Sequence, residues 1–110
     1  MSAVVERTGT GIPVVRLEGD LGAAEAAEVE TALGVALRSS GGRVLLDLRL
    51  TAHLHYRIAG LLAARARSRR RLGFVGPTPY VRLILRLVGA LEGEVREYDD
   101  MAQALADAVA

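Results

Sequence analysis

The sequence predicts an α/β fold: a mixed sheet of four to five strands with about four helices, mainly on one side. Three observations carry this. Short β-rich runs alternate with longer runs of helical period after an opening pair of strands. One run is apolar at nearly every position, as a strand covered on both faces must be. Capping and helix-ending residues stand between the runs. At 110 residues the chain has the length of one domain, able to bury roughly 65% of its unfolded surface, so residues 1–110 are expected to form a single unit. With 51% hydrophobic but only 4% aromatic residues, its core must be built from Leu, Val, Ile and Ala.

The elements follow in order. Ala3 to Arg7 and Pro13 to Glu18 read as two strands, joined through Thr8-Gly9-Thr10-Gly11, where the glycines permit a hairpin turn. Ala23 to Arg38 is an amphipathic helix with Ala26, Val29, Leu33 and Ala36 on one stripe, ended by Ser39-Ser40-Gly41-Gly42. Arg43 to Leu48 is the apolar central strand, followed by a loop. Ile58 to Arg71 reads as a second helix and Leu72 to Val75 as a strand. Thr78 and Pro79 start a third helix, with Val81, Ile84, Leu85 and Val88 as its apolar stripe and Gly89 as its stop. Glu94 to Tyr98 suggests a last, edge strand, and Asp99 or Asp100 caps a terminal helix. After the opening hairpin this alternation implies parallel strands.

Composition narrows the function. No cysteine is present, which removes disulfides, thiolate metal sites and thiol nucleophiles. All 14 cations are Arg and the formal net charge is +1, so no global excess of positive charge speaks for nucleic acid. No apolar run approaches the ~18 residues that span a bilayer, so no membrane insertion is expected and a cytoplasmic location is. No Ser lies in a nucleophile-elbow context, no glycine-rich phosphate loop with Lys occurs, and Asp99 and Asp100 are accounted for as a helix cap. No enzyme activity and no cofactor are expected. His53 and His55 would share one side of an extended segment, but no third ligand is near, so no metal is expected.

In the order and wording of its elements the chain resembles the STAS family, the bacterial anti-sigma-factor antagonists and their relatives. The resemblance lies in Val14 to Leu21, in Val44 to Leu48, in Leu72 to Val81 with Leu85 and Gly89, and in Tyr98 to Leu105. It implies a non-catalytic protein-interaction module in signal transduction and transcription regulation. The partner would be an anti-sigma factor or a kinase-like ATPase. Alternatives within the family are an accessory subunit docking the ATPase of an ABC-type lipid transporter and a scaffold that self-assembles, with a homodimer as its simplest form. Signalling members carry a hydroxyl phosphoacceptor at the start of the second helix. Counted without gaps from Asp47, the corresponding word is His55-Tyr56-Arg57-Ile58, with Arg57 at the phosphoacceptor position and no Ser or Thr from Ala52 to Gly60. The resemblance therefore implies a partner surface but no Ser/Thr phosphorylation switch.

The expected partner-binding residues are His55, Tyr56, Arg57, Ile58, Leu61 and Arg65. Ala59, Leu62, Ala63 and Ala66 share the core face of the second helix, which turns Ile58 and Leu61 toward another side beside Arg57 and Arg65. The alternative is that neighbouring structure covers both. Arg57 sits where helix-start N–H groups already make the site electropositive, so it either meets an acidic partner or a phosphate, or is simply solvated. Arg65, Arg67, Arg69, Arg70 and Arg71 spread around the helix instead of forming one stripe and read as a solvated helix end.

Overall fold

A computed structural model describes residues 2–7, 11–40, 43–69, 72–92 and 95–109. The expected elements appear in the expected order with one addition, the fourth strand: β1 (Ser2–Arg7), β2 (Pro13–Leu21), a 3-10 turn (Ala23–Glu25) leading into α1 (Ala26–Ser40), β3 (Val44–Asp47), β4 (Thr51–Leu54), α2 (Tyr56–Arg69), β5 (Leu72–Val75), α3 (Pro79–Leu87), β6 (Arg96–Tyr98) and α4 (Met101–Val109). Thr8, Gly9 and Thr10, between β1 and β2, lie outside the described residues, as do Gly41, Gly42, Arg70, Arg71 and Glu94.

The strands form one sheet in the order β1-β2-β3-β5-β6. The β1–β2 pair is antiparallel and every other pair is parallel. β4 had no counterpart in the sequence reading, which assigned its residues to a loop. It continues the line of β3 along the far end of β2, pairing Gly19↔Thr51, Asp20↔His53 and Leu21↔Leu54. Its anchor is tertiary: the buried Thr51 hydroxyl donates to the Leu17 carbonyl at 2.6 Å and the His55 N–H donates to the Leu21 carbonyl at 2.9 Å. The same pairing extends β2 to Leu21, beyond the expected end at Glu18.

Two-residue alternation sorts the strand side chains between two cores. Val15, Leu17, Val44, Leu46, Leu48 and Phe74 pack with residues of α1, α2 and α3. Val14, Leu45, Val75 and Tyr98 face the other way and pack with Ala104 of α4. Three helices thus cover one face and one covers the other. On that second face Tyr98 donates its hydroxyl to Asp107 of α4, and Arg96 and Arg43 pair with the same carboxylate.

Local chemistry sets the helix ends. The Thr78 side chain accepts from the Val81 N–H, with Pro79 in the first turn. Gly89 takes a left-handed φ of 79°, and the Ala90 N–H reaches back to the Leu85 carbonyl, closing the C-terminus of α3. Asp100 accepts from the Gln103 N–H at 2.7 Å to start α4.

Candidate functional site

Loops after parallel strands collect at the carboxyl edge of a sheet, where α/β folds usually meet their ligands. Here that edge carries the β3–β4 turn, the β4–α2 junction and the start of α3. Asp47 closes β3 and is 4% exposed. Burial alone raises its pKa, but hydrogen bonds and charge from Arg49 outweigh that, with a smaller contribution from Arg16, and hold the carboxyl below the ordinary aspartate value. Arg49 Nε and one terminal nitrogen grip the two carboxylate oxygens at 2.9 and 2.8 Å, and the Arg49 N–H adds a third bond at 3.1 Å. The grip fixes the turn, at whose tip Leu50 is exposed.

His55 is the residue before α2 and caps it with a ring. Its Nδ1 accepts from the Arg57 N–H at 3.1 Å, which takes the place of the usual Ser, Thr or Asp oxygen and puts the proton of the neutral ring on Nε2. The ring lies 4.4 Å from that of Tyr56. His53, on β4, stacks with Tyr80 of α3 at 5.5 Å and so ties the third helix to the β4–α2 junction. Among the described residues no group of three or more His, Asp or Glu side chains comes together to hold a metal ion.

Of the six expected contact residues, Tyr56 and Arg57 are exposed at the first turn of α2, and His55 is half-buried beneath them. Ile58 requires correction: it is fully buried within the main core. Counting from Leu62, Ile58 lies one helical turn earlier on the same row, and α1 packs over that side of α2. Leu61 is half-buried and packs against the core rather than standing free of it. Arg65 pairs with Glu30 of α1 at 3.8 Å, which marks this edge of α2 as the one facing α1. Arg67, Arg69, Arg70 and Arg71 have no described side chains.

The exposed apolar surface lies elsewhere. Tyr80, Leu83 and Leu87 are 48%, 49% and 73% exposed and recur at i, i+3 and i+7 along α3. The helix thus carries a second apolar row beside the buried Val81 and Leu85. Sequence periodicity picked out only the buried row. Tyr56, 65% exposed, stands at the start of α2, which packs against α3. Gly60, one turn after Tyr56, is half-buried, and a Cβ placed on it would meet nothing within 4 Å. It costs the helix about 1 kcal/mol relative to alanine.

A six-stranded mixed sheet with a leading antiparallel hairpin, three helices on one face and a fourth on the other defines an α/β domain of STAS type. The family model described as "Mlab, STAS domain" matches residues 5–97, and the chain belongs to that family. Among solved structures, the anti-sigma factor antagonist SpoIIAA in its unphosphorylated form is similar with a TM-score of 0.78 at 17% identity, covering 96% of this chain and 95% of that one. A candidate anti-sigma factor antagonist from Thermotoga maritima is similar with a TM-score of 0.80 at 15% identity, covering 98% and 95%. At these identities the likeness is one of fold. No curated protein matches the chain. No helix of the described residues is long and apolar enough to cross a membrane.

Proposed function

We propose that this chain is a cytoplasmic, non-catalytic docking module that regulates a protein partner in the manner of the anti-sigma factor antagonists it resembles in fold. The observation that carries the proposal is the set of exposed apolar side chains Tyr56, at the start of α2, and Tyr80, Leu83 and Leu87, which run along α3 away from the carboxyl edge. Large exposed apolar groups clustered on one face favour a contact surface over a solvated one. Arg57 stands beside them, His55 positions the helix start that presents Tyr56 and Arg57, and Leu61 and Arg65 form the rim toward α1. Ile58 supports this surface from within the core.

The proposal is tested by affinity capture from the native cell with the intact chain and with Leu87→Glu. Leu87 is 73% exposed, so the substitution should leave the unfolding free energy within about 0.5 kcal/mol of the parent while weakening partner binding by about 2 kcal/mol or more. An anti-sigma factor or kinase-like ATPase lost in Leu87→Glu is the expected result. An ABC-type ATPase lost in the same way would assign the module to lipid transport instead. Equal recovery by both chains would remove this surface from consideration.

The same module works without a Ser/Thr switch at the helix start. The position holds Arg57, whose charge is opposite to that of a phosphate and attracts the acidic partner that a phosphate would repel. Thr51, the nearest Ser or Thr upstream, is 1% exposed and spends its hydroxyl proton on the Leu17 carbonyl, out of reach of a kinase. Incubation with a family-type kinase and ATP should leave the intact mass unchanged. A phosphate mapped to Tyr56, with release of the partner, would overturn the proposal.

A further inference from the structure

We infer that the occupant of the surface between α2 and α3 is an acidic amphipathic helix of a partner protein, laid along Tyr80, Leu83 and Leu87 with its backbone close over Gly60. The inference rests on the docking function proposed above and names the chemistry of the partner.

Charge is the first argument. Residues 48–91, which build β4, α2, β5 and α3, contain nine of the fourteen arginines and not one carboxylate. The remaining five arginines share the rest of the chain with all thirteen carboxylates. Charge is therefore segregated along the chain although its net value is only +1. On α3 the exposed Arg82 is engaged by Glu97 of β6 at 2.8 Å. No described carboxylate pairs with Arg86, on α3 beside the apolar row, or with Arg57, at the start of the neighbouring α2. Such a rim is matched by acidic side chains and repels basic ones.

The apolar pattern points to the same segment. Six large hydrophobic side chains are exposed among the described residues, and all but Val35 lie within residues 48–91. In a symmetric pairing a second copy of this chain would set its own arginine rim against this one, so a homotypic contact is disfavoured. The repeat along α3 is the i, i+3, i+7 pattern that one helix presents to another.

Gly60 supplies the third argument. It lies about 140° around α2 from Arg65, and Arg65 marks the edge facing α1. Gly60 accordingly lies on the side of α2 away from α1, and α3 is the other helix that packs on α2. Its backbone has no left-handed φ and no neighbour would meet a side chain there, so nothing within the chain requires glycine. A glycine that weakens its own helix without local need leaves room for a closely approaching backbone. A narrow apolar row beside a side-chain-free glycine suits a helix better than a bilayer or a duplex.

The test pans a phage-displayed library of helical peptides against the full chain. The expected winners carry Asp and Glu beside an apolar i, i+3 or i+4, i+7 row. Their Kd should rise at least tenfold in Gly60→Leu and in Arg86→Glu, and rise with salt. Gly60→Ala should melt about 4 °C above the parent, showing that the glycine does not serve the fold. The inference is overturned by basic or neutral winners, by an absence of winners, or by binding indifferent to Gly60→Leu in a variant that keeps the parent's circular dichroism. Gly60→Ala melting below the parent would overturn it too, as would binding confined to phosphatidylglycerol vesicles or duplex DNA. If Leu87→Glu still abolishes capture of the native partner while these peptide results fail, the docking function stands and only the acidic helix is excluded.

Discussion

Leu46→Ala is expected to destabilise the chain by about 2 to 4 kcal/mol. Leu46 is completely buried at the centre of β3, with Val15 of β2 on one side and Phe74 of β5 on the other. Its side chain points into the core shared with α1, α2 and α3. A strand paired on both edges and roofed by helices has little freedom to collapse into the cavity that the truncation leaves. Urea unfolding followed by circular dichroism measures the effect. A loss under half a kcal/mol would contradict the central position of β3.

Gly76→Val should cost a comparable amount, about 3 kcal/mol, from left-handed strain together with the displacement of a charged neighbour. Gly76 has a φ of 60°, which a β-branched residue adopts only under strain. Its N–H donates to the Tyr98 carbonyl at 2.8 Å, so the backbone cannot rotate away without releasing β6. A Cβ at this position would lie 2.5 Å from Arg49 Cγ. Arg49 must then move, and with it goes the bidentate grip on Asp47. In the parent, Asp47 has its pKa depressed in the folded state, so its contribution is complete above the ordinary carboxylate range and is lost as pH falls through it toward the folded value. Gly76→Val should therefore show a shallower loss of stability on acidification than the parent. Combining Gly76→Val with Arg49→Ala separates strain from collision, because the residual cost in that background belongs to the backbone. A Gly76→Val protein within 1 kcal/mol of the parent would show that the turn tolerates a side chain.

The candidate site was only partly legible. Tyr56 and Arg57 are exposed at the helix start, where counting from Asp47 located them, because a helix N-terminus after a central strand is fixed by chain direction. Ile58 was misplaced because a helix of small residues such as Ala59, Ala63 and Ala66 presents a wide core face. The covering α1 widens it further, so that the row of Ile58 and Leu62 is buried. The outer row of α3 went unread for a related reason. Val81, Ile84, Leu85 and Val88 on one side and Tyr80, Leu83 and Leu87 on the other are both apolar rows of helical spacing, and periodicity alone cannot rank them. The segregation of charge into residues 48–91 is visible in the sequence as a simple count, and it was the signal that would have pointed to the second row.

The sequence by itself determined the elements whose causes are local: the strands Val44 to Asp47 and Leu72 to Val75, apolar on both faces and so forced to the middle of a sheet, and the helix ends at Thr78, Gly89 and Asp100, where one side chain or one left-handed residue satisfies the backbone. It also determined that no hydroxyl stands at position 57. Only the tertiary structure decided that Thr51 to Leu54 is a strand, since four residues with one apolar end become β only when the Thr51 hydroxyl and the His55 N–H find Leu17 and Leu21, more than thirty positions earlier. It also decided which row of α3 faces water. Burial is allotted by the area the sheet and α2 can cover, and that area belongs to no single segment of the chain.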